Sequence, residues 1–225
     1  MNRGCVVILV GMFVISSLGC VSMPRENDVR PSPSSSRSNS PRSSRSTPSE
    51  FLLPVSTLAR DLVLQQRVAI RWQDREERFA AVLQKRGDEL LLLGLGPMNS
   101  VGFTLTLDAE GVRFENRSGR ELPFEPERIL ADVQRVFYPW IPAEKSCTDC
   151  QQFAVRGDLE ISEKIGPERL LERRFVDLSG RRSGEIVIRF EDWLEVGSVP
   201  GRAILHNGWY GYELTVETSR VEELE

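Results

Sequence analysis

Apolar and polar residues alternate along much of the chain after position 50, which is the pattern of half-buried β-strands. Between 62 and 72, for example, Leu64, Val68 and Ile70 share one face, while mainly polar residues occupy the other. Turn residues such as the Gly-Asp pair at 87–88 separate the alternating stretches. We expect the first five stretches to pair in antiparallel succession. In all, the pattern predicts strands at 62–72, 78–84, 89–95, 101–107, 112–115, 159–165, 170–178, 185–193 and 210–218.

The period changes between residues 126 and 138, where apolar side chains recur at helical spacing. Ile129, Val133 and Phe137 fall on one side, and polar residues fall mostly on the opposite side. Pro126 suits the first turn of a helix, and the helix should end before the next proline. The order of strands, one helix and further strands predicts a mainly β fold with α. In this fold a curved antiparallel sheet packs the amphipathic helix on its concave face.

The first twenty residues have the features of an export signal. A positively charged start, about a dozen apolar residues and a small-residue exit are typical of a secretory signal peptide, and the run is shorter than the roughly 20 residues of a membrane-spanning helix. The run ends in Ser-Leu-Gly-Cys at 17–20, which resembles the bacterial lipobox, although Ser17 stands where Leu, Val or Ile is usual. We expect cleavage before Cys20 and acylation of that cysteine, for example with palmitate. An ordinary cleaved signal and an uncleaved anchor are the alternatives.

Between 24 and 50 the chain consists almost wholly of Ser, Pro and Arg. Such a segment has little apolar surface to offset the entropy of ordering, so we expect it to be disordered. The predicted organisation is therefore a signal peptide at 1–19, a lipidated Cys20 with a disordered tether at 20–50, and a single β-rich lipoprotein domain at 51–225.

Charge and residue types limit the chemistry of this domain. After position 50 there are 23 basic and 30 acidic residues, a formal charge of about −7, which disfavours a nucleic-acid partner. His206 is the sole histidine and has no nucleophile motif beside it. Two cysteines and one distant histidine make no metal-ligand set. We expect no catalytic residues, no metal and no cofactor, and therefore a protein that is not an enzyme.

Cys147 and Cys150 form a C-x-x-C pair in a chain predicted to be exported. This spacing occurs in thiol oxidoreductases, but Asp149 between the cysteines would disfavour a reactive thiolate. We expect a small structural disulfide that closes a loop, because exported proteins occupy oxidising compartments. A periplasmic thiol enzyme is the alternative.

Four segments of the domain carry a resemblance to a known family: FLLPVSTLARDLVLQQRVAIRW at 51–72, GLGPMNSVGFTLTLDAEGVRFE at 94–115, PERILADVQRVFYPW at 126–140 and ILHNGWYGYELTVET at 204–218. They resemble an uncharacterised family of proteobacterial outer-membrane lipoproteins, described as a domain of unknown function and associated with aryl polyene gene clusters. The resemblance implies the half-open barrel of the lipoprotein-localisation (Lol) carriers and receptors, whose concave apolar side holds acyl chains. It also implies a lipid-anchored location on the periplasmic face of the cell outer membrane.

The predicted function follows from the fold and the resemblance. We expect a lipoprotein that binds or handles a lipid or acyl ligand, possibly of aryl-polyene type, in an apolar cavity. Its expected partners are the membrane, through the anchor, and an envelope carrier or exporter protein. The alternative is a structural or scaffolding envelope lipoprotein with a filled core, which docks through the aromatic segment 138–140 or the acidic tail 217–225. The residues expected to line the cavity are Leu64, Val68, Ile70, Phe103, Leu105, Ile129, Val133 and Phe137.

Overall fold

Twelve strands and one α-helix make up the part of the chain that the computed structural model describes. It describes the backbone of 42–46 and residues 52–119, 122, 124–142, 147–195 and 199–224. The helix α1 is Pro126–Phe137, and short 3-10 turns lie at Val55–Thr57 and Pro97–Asn99. The strands are β1 Arg42–Ser46, β2 Leu62–Trp72, β3 Arg75–Arg86, β4 Glu89–Leu95, β5 Val101–Asp108, β6 Gly111–Asn116, β7 Cys150–Arg156, β8 Leu159–Ile165, β9 Leu170–Asp177, β10 Glu185–Glu191, β11 Arg202–Asn207 and β12 Tyr212–Glu223.

All twelve strands belong to one sheet, in the order β1-β6-β5-β4-β3-β2-β12-β11-β10-β9-β8-β7. Every pairing is antiparallel. The two end strands, β1 and β7, do not pair with each other in the described structure, so the sheet is curled but unclosed. Residues of α1 pack against both halves of the sheet, which places the helix on its concave side. The predicted fold class, a mainly β, half-open antiparallel barrel around one helix, is confirmed.

The helix divides the interior into two apolar clusters. In one cluster, Leu130 of α1 packs with inward-facing residues of β2 to β6, such as Leu64, Leu83 and Leu105. In the other, Val136 packs with inward-facing residues of β8 to β12. Each fully buried aliphatic or aromatic side chain contributes about 1.5–3 kcal/mol, so both clusters hold the sheet against the helix.

All nine predicted strands are present, and β2 to β6 pair in the predicted succession. β12 is longer than predicted, because it continues past a register shift between Thr218 and Arg220 and pairs with β2 along its whole length. Two strands of the predicted domain were missed. β11 is only six residues long, and β7 is an edge strand whose apolar side chains Phe153 and Val155 lie outside, 56% and 62% exposed.

β1 is the third unpredicted strand, and it lies within the segment for which the sequence predicts disorder. The backbone of Arg42–Ser46 pairs with β6, from Arg42 opposite Asn116 to Ser46 opposite Val112. At these five residues the structure differs from the predicted tether. The rest of that segment, the predicted signal peptide and Cys20 lie outside the described residues.

The polar side of α1 is buried, although the sequence places it opposite the apolar side. Asp132, Gln134 and Arg135 are 3%, 0% and 5% exposed. The sheet curls far enough around the helix for its second half to cover Asp132 and Arg135 and to supply the Tyr212 hydroxyl as a partner of Asp132, while the segment before β2 pairs with Gln134. A helix inside a curled sheet therefore has no solvent face along these residues.

Gln134 ties the segment before β2 to the helix. Its side-chain oxygen accepts a hydrogen bond from the Leu53 backbone N–H at 2.7 Å, and its Nε2 donates to the Leu53 carbonyl at 2.8 Å. Paired in this way, the buried amide satisfies both of its polar groups. Val55 and Leu58, which follow Leu53, are then buried in the first apolar cluster.

The aromatic segment after the helix packs inward. Tyr138 and Trp140 are buried, and the Trp140 indole N–H donates to the Gln134 carbonyl at 2.9 Å. The expectation that 138–140 forms a docking surface is therefore wrong, because a proline-broken segment here folds back against the sheet. Cys147 and Cys150 are joined by a disulfide, with their Cα atoms 5.9 Å apart, at the start of β7.

Candidate ligand cavity

A cavity of about 680 Å³ lies between α1 and the inner faces of five neighbouring strands, β5, β4, β3, β2 and β12. This volume falls within the range of about 300–1,000 Å³ that is usual for small-molecule pockets. Its inner wall is mainly apolar. The lining from the sheet includes Gln66, Val68, Ile70, Phe79, Ala80, Ala81, Leu92, Gly94, Leu95, Gly102, Phe103, Tyr212, Leu214 and Val216, and the helix and the segment before it add Leu122, Phe124, Ile129, Asp132, Val133, Val136 and Phe137.

Six of the eight residues predicted to line a cavity lie on its wall: Val68, Ile70, Phe103, Ile129, Val133 and Phe137. Leu64 and Leu105 do not line it, because both are fully buried in the packed cluster beside it. Leu64 and Val68 share a face of β2 but stand about 13 Å apart along the strand. One face of a strand can therefore be filled at one end and line a cavity at the other. Contact of any of these residues with a ligand stays a prediction.

Small residues and two aromatic rings shape one part of the cavity wall. Ala81 of β3 is paired in register with Gly94 of β4, and Gly94 is paired with Phe103 of β5. The Phe103 ring lies across Gly94, where a Cβ atom would overlap it. It also packs edge-on against Phe79, with ring centroids 5.9 Å apart. The missing Cβ of Gly94 therefore makes room for the Phe103 ring, and the short side chain of Ala81 lies beside it in the wall.

Charged residues mark the mouth of the cavity. Glu76, Glu77 and Arg78 of β3 are exposed and contribute to its lining, as does Pro97 in the turn after β4. Arg78 Nε lies 2.5 Å from Glu76 Oε1, and this hydrogen bond holds the pKa of Glu76 below its ordinary value. The mouth is thus ionic, while the interior is mainly apolar.

A buried polar network lies on the helix side of the cavity. Asp132 accepts hydrogen bonds from Arg135 Nη1 at 2.6 Å and from the Tyr212 hydroxyl, which in turn accepts one from Asn207 Nδ2 at 2.9 Å. Burial raises the pKa of Asp132, against the opposing effects of Arg135 and Tyr212. Burial also raises the pKa of Tyr212, and the neighbouring Asp132 adds to the shift. Both carboxylate oxygens of Asp132 are therefore occupied within the protein.

Sequence reasoning missed this network. Asp132 and Arg135 stand three residues apart on the helix, a spacing that brings side chains together, and this signal was available. The burial of these two side chains could not be predicted from the sequence, because the partners Asn207 and Tyr212 come from strands more than 70 residues later.

A second cavity of about 350 Å³ shares Val136 and Phe137 with the first. Its lining includes Arg173, a buried arginine whose Nε donates to Glu163 Oε1 at 2.6 Å and whose Nη1 donates to the Arg135 carbonyl. Arg173 is therefore committed to structural contacts within the protein.

The match to a family model decides the family. The model described as "Protein of unknown function (DUF3261)" matches residues 63–220. The chain belongs to the DUF3261 family. The predicted membership of a family of unknown function is therefore confirmed. No curated protein matches the chain.

Solved structures also resemble this DUF3261 chain, each at 11% sequence identity. A LolA superfamily protein from Nitrosomonas europaea has a TM-score of 0.45, with 77% of this chain and 95% of that chain covered. An outer membrane lipoprotein-sorting protein domain, so described, from Vibrio parahaemolyticus has a TM-score of 0.45, with 76% and 94% covered. A DUF1329 family protein from Desulfovibrio piger has a TM-score of 0.40, with 73% and 85% covered.

The cavity of this DUF3261 member offers burial and a few polar contacts. Within the described ranges, no three His, Cys, Asp or Glu side chains are grouped so that they could hold a metal ion. His206, the sole histidine, is exposed on β11 and does not line the cavity. In the same described part of the chain, none of the helices has the length and apolarity needed to cross a membrane.

Proposed function

We propose that this DUF3261 protein is a non-enzymatic lipoprotein that binds a lipid or acyl ligand, of aryl-polyene type among the candidates, in the cavity beside α1. The observation that carries the proposal is the apolar cavity of about 680 Å³ with an ionic mouth. An acyl chain needs only burial, at about 0.8 kcal/mol per methylene, so ten buried methylenes supply about 8 kcal/mol. The alternative, a scaffolding protein, assumes a filled core, and a cavity of this size does not support that assumption.

Native mass spectrometry with lipid extraction tests this function. The full chain should carry Cys20→Ser, so that no covalently attached acyl group contributes to the bound mass. We expect a reproducible non-covalent mass in the lipid range, released by denaturation and identified in the extract. A clean unliganded mass, under conditions that retain lipid on a known lipid carrier, would favour the scaffolding role instead.

The proposed location is the periplasmic face of the outer membrane, held by acylated Cys20, where an envelope carrier or exporter protein would supply or receive the ligand. The support is the export signal and the cysteine at its end. We expect metabolic labelling with an alkyne analogue of palmitate to mark the wild-type chain and to be lost in Cys20→Ser. The Cys20→Ser chain should also be absent from the outer-membrane fraction that contains the wild-type chain. Equal labelling of both chains would exclude Cys20 as the acylation site.

A further inference from the structure

One charged side chain at the mouth of the cavity lies on the inner face of the curled sheet. Glu77 is exposed, lines the cavity and is paired in register with Ile70 of β2. Side chains alternate along a strand, so Glu77 shares the inner face of β3 with Phe79, whereas Glu76 and Arg78 belong to the outer face. Its carboxylate is therefore directed differently from the charges of its two neighbours.

The wall beside Glu77 is aliphatic. Across the strands, Glu77 lies in one row with Ile70 of β2 and Leu214 of β12, and all three residues line the cavity. On the opposite side Glu77 has no neighbour on β4, because that strand ends at Leu95, which is paired with Ala80. The carboxylate thus stands at an open edge of the wall, next to the side chains against which a bound alkyl chain would lie.

The neighbouring charges on the outer face are paired with one another. Arg78 Nε lies 2.5 Å from Glu76 Oε1, and Arg71 lies 3.5 Å from Glu76 and 3.6 Å from Glu213. Within the described ranges, the Glu77 carboxylate forms no ion pair and accepts no hydrogen bond. Its charge is therefore available to a ligand.

Two other charged residues of the interior leave Glu77 unneutralised. Arg75 lies on the same face of β3, two residues or about 7 Å nearer the turn, and does not line the cavity. Asp132 on α1 is occupied by Arg135 and by the Tyr212 hydroxyl. A fixed negative charge on a low-dielectric wall raises the local concentration of cations in a cleft.

The chemistry of the site favours an organic cation. Metal sites need several oxygen ligands, and in the described part of the chain no three acidic, histidine or cysteine side chains are grouped to hold a metal. A chain that fills the apolar wall leaves its polar end at the mouth, beside Glu77. A carboxylate or phosphate there would be repelled, whereas an ammonium group would be attracted and would donate a charge-assisted hydrogen bond.

We propose that Glu77 is a specificity-determining residue whose carboxylate binds an ammonium group at the polar end of the ligand. This inference rests on the proposed lipid-binding function and narrows the ligand class to lipids with a cationic nitrogen next to the chain. Free fatty acids are then disfavoured, although their chains fit the same wall.

Three matched amphiphiles test the role of Glu77. Decylammonium, 1-decanol and decanoate share one chain length and differ in the charge of the polar end at neutral pH. Each displaces an uncharged fluorescent alkyl probe from the full chain carrying Cys20→Ser, and the displacement gives its affinity. We expect decylammonium to bind about fivefold more tightly than decanol, and decanoate to bind about fivefold more weakly.

Two variants of Glu77 and one matched control identify the charge that is responsible. Glu77→Gln keeps the shape of the side chain, and the three affinities should then agree within about twofold. Glu77→Lys should invert the order, with decanoate binding most tightly. Glu160→Gln makes the same replacement on the outer face of β8, opposite Val155, and should keep the parent's order. Thermal melts should show that all three variants fold.

The outcomes separate this inference from the proposed function. Equal affinities in the parent chain, or a preference for decylammonium that survives Glu77→Gln, overturn the role of Glu77 and leave lipid binding intact. Failure of the probe and of all three amphiphiles to bind the folded parent chain overturns lipid binding and the role of Glu77 together.

Discussion

Val133→Asp is expected to lower lipid affinity by more than 100-fold while leaving the protein folded. Val133 lies on α1 between Ile129 and Phe137 and faces the cavity, where it is half-buried. Without ligand, water in the cavity can hydrate the new carboxylate. When an acyl chain enters, that carboxylate must lose its water without gaining a partner, which costs several kcal/mol. A loss of about 3 kcal/mol already exceeds a 100-fold change in affinity.

Titration with a fluorescent acyl probe, followed by far-ultraviolet circular dichroism of the same samples, measures both parts of this prediction. Val155→Asp is the matched control, because it makes the same replacement on the outer face of β7 and should bind like the parent. Val133→Leu keeps the wall apolar and should also bind. Normal affinity in a folded Val133→Asp protein would mean that lipid binds elsewhere.

Asp132→Ala is expected to reduce the free energy of unfolding by about 3–5 kcal/mol. The substitution leaves the Arg135 guanidinium buried without its carboxylate, and removes the acceptor of the Tyr212 hydroxyl. Few other groups near Arg135 could replace the lost carboxylate. Its remaining neighbours include the Phe175 and Trp209 rings, at 5.8 and 5.3 Å, and its Nε has no hydrogen-bond partner among the described residues.

Urea unfolding followed by tryptophan fluorescence measures the change, and graded variants identify its cause. Tyr212→Phe leaves one Asp132 oxygen and the Asn207 amide without their partner but keeps the ion pair, so it should cost less, about 1–3 kcal/mol. The double replacement Asp132→Leu with Arg135→Met removes both charges, and most of the lost stability should return. A cost below 1 kcal/mol for Asp132→Ala would show that the buried pair does not hold the helix in the sheet.

Strand and helix positions were predictable because alternation and helical spacing report local burial. Leu62–Trp72 matches β2 at both ends, and the helix begins at Pro126 and ends before Pro139 as predicted. β7 is an exception to the rule that the apolar face of a strand is buried, because its apolar side chains Phe153 and Val155 lie on the outer face of an edge strand. Alternation identifies two faces of a strand but cannot say which one the fold buries.

The site was predictable only in part. Val68, Phe103 and Val133 were identified as inward-facing, and they line the cavity. Gln66 was not identified, because a polar residue within an alternating strand is not expected on the wall of an apolar cavity. Its place there depends on the curl of the sheet around α1, which residues close in the chain do not report.

The sequence by itself determined the order of most strands and of the helix, and most of the residues that face inward, because each depends on neighbours close in the chain. Only the tertiary structure decided that the interior is filled at Leu64 and hollow at Val68, and that the polar side of α1 is covered. Both depend on side chains brought together from distant strands. The cavity lies between α1 and the inner faces of β5, β4, β3, β2 and β12, and the curl of the second half of the sheet buries Asp132 and Arg135.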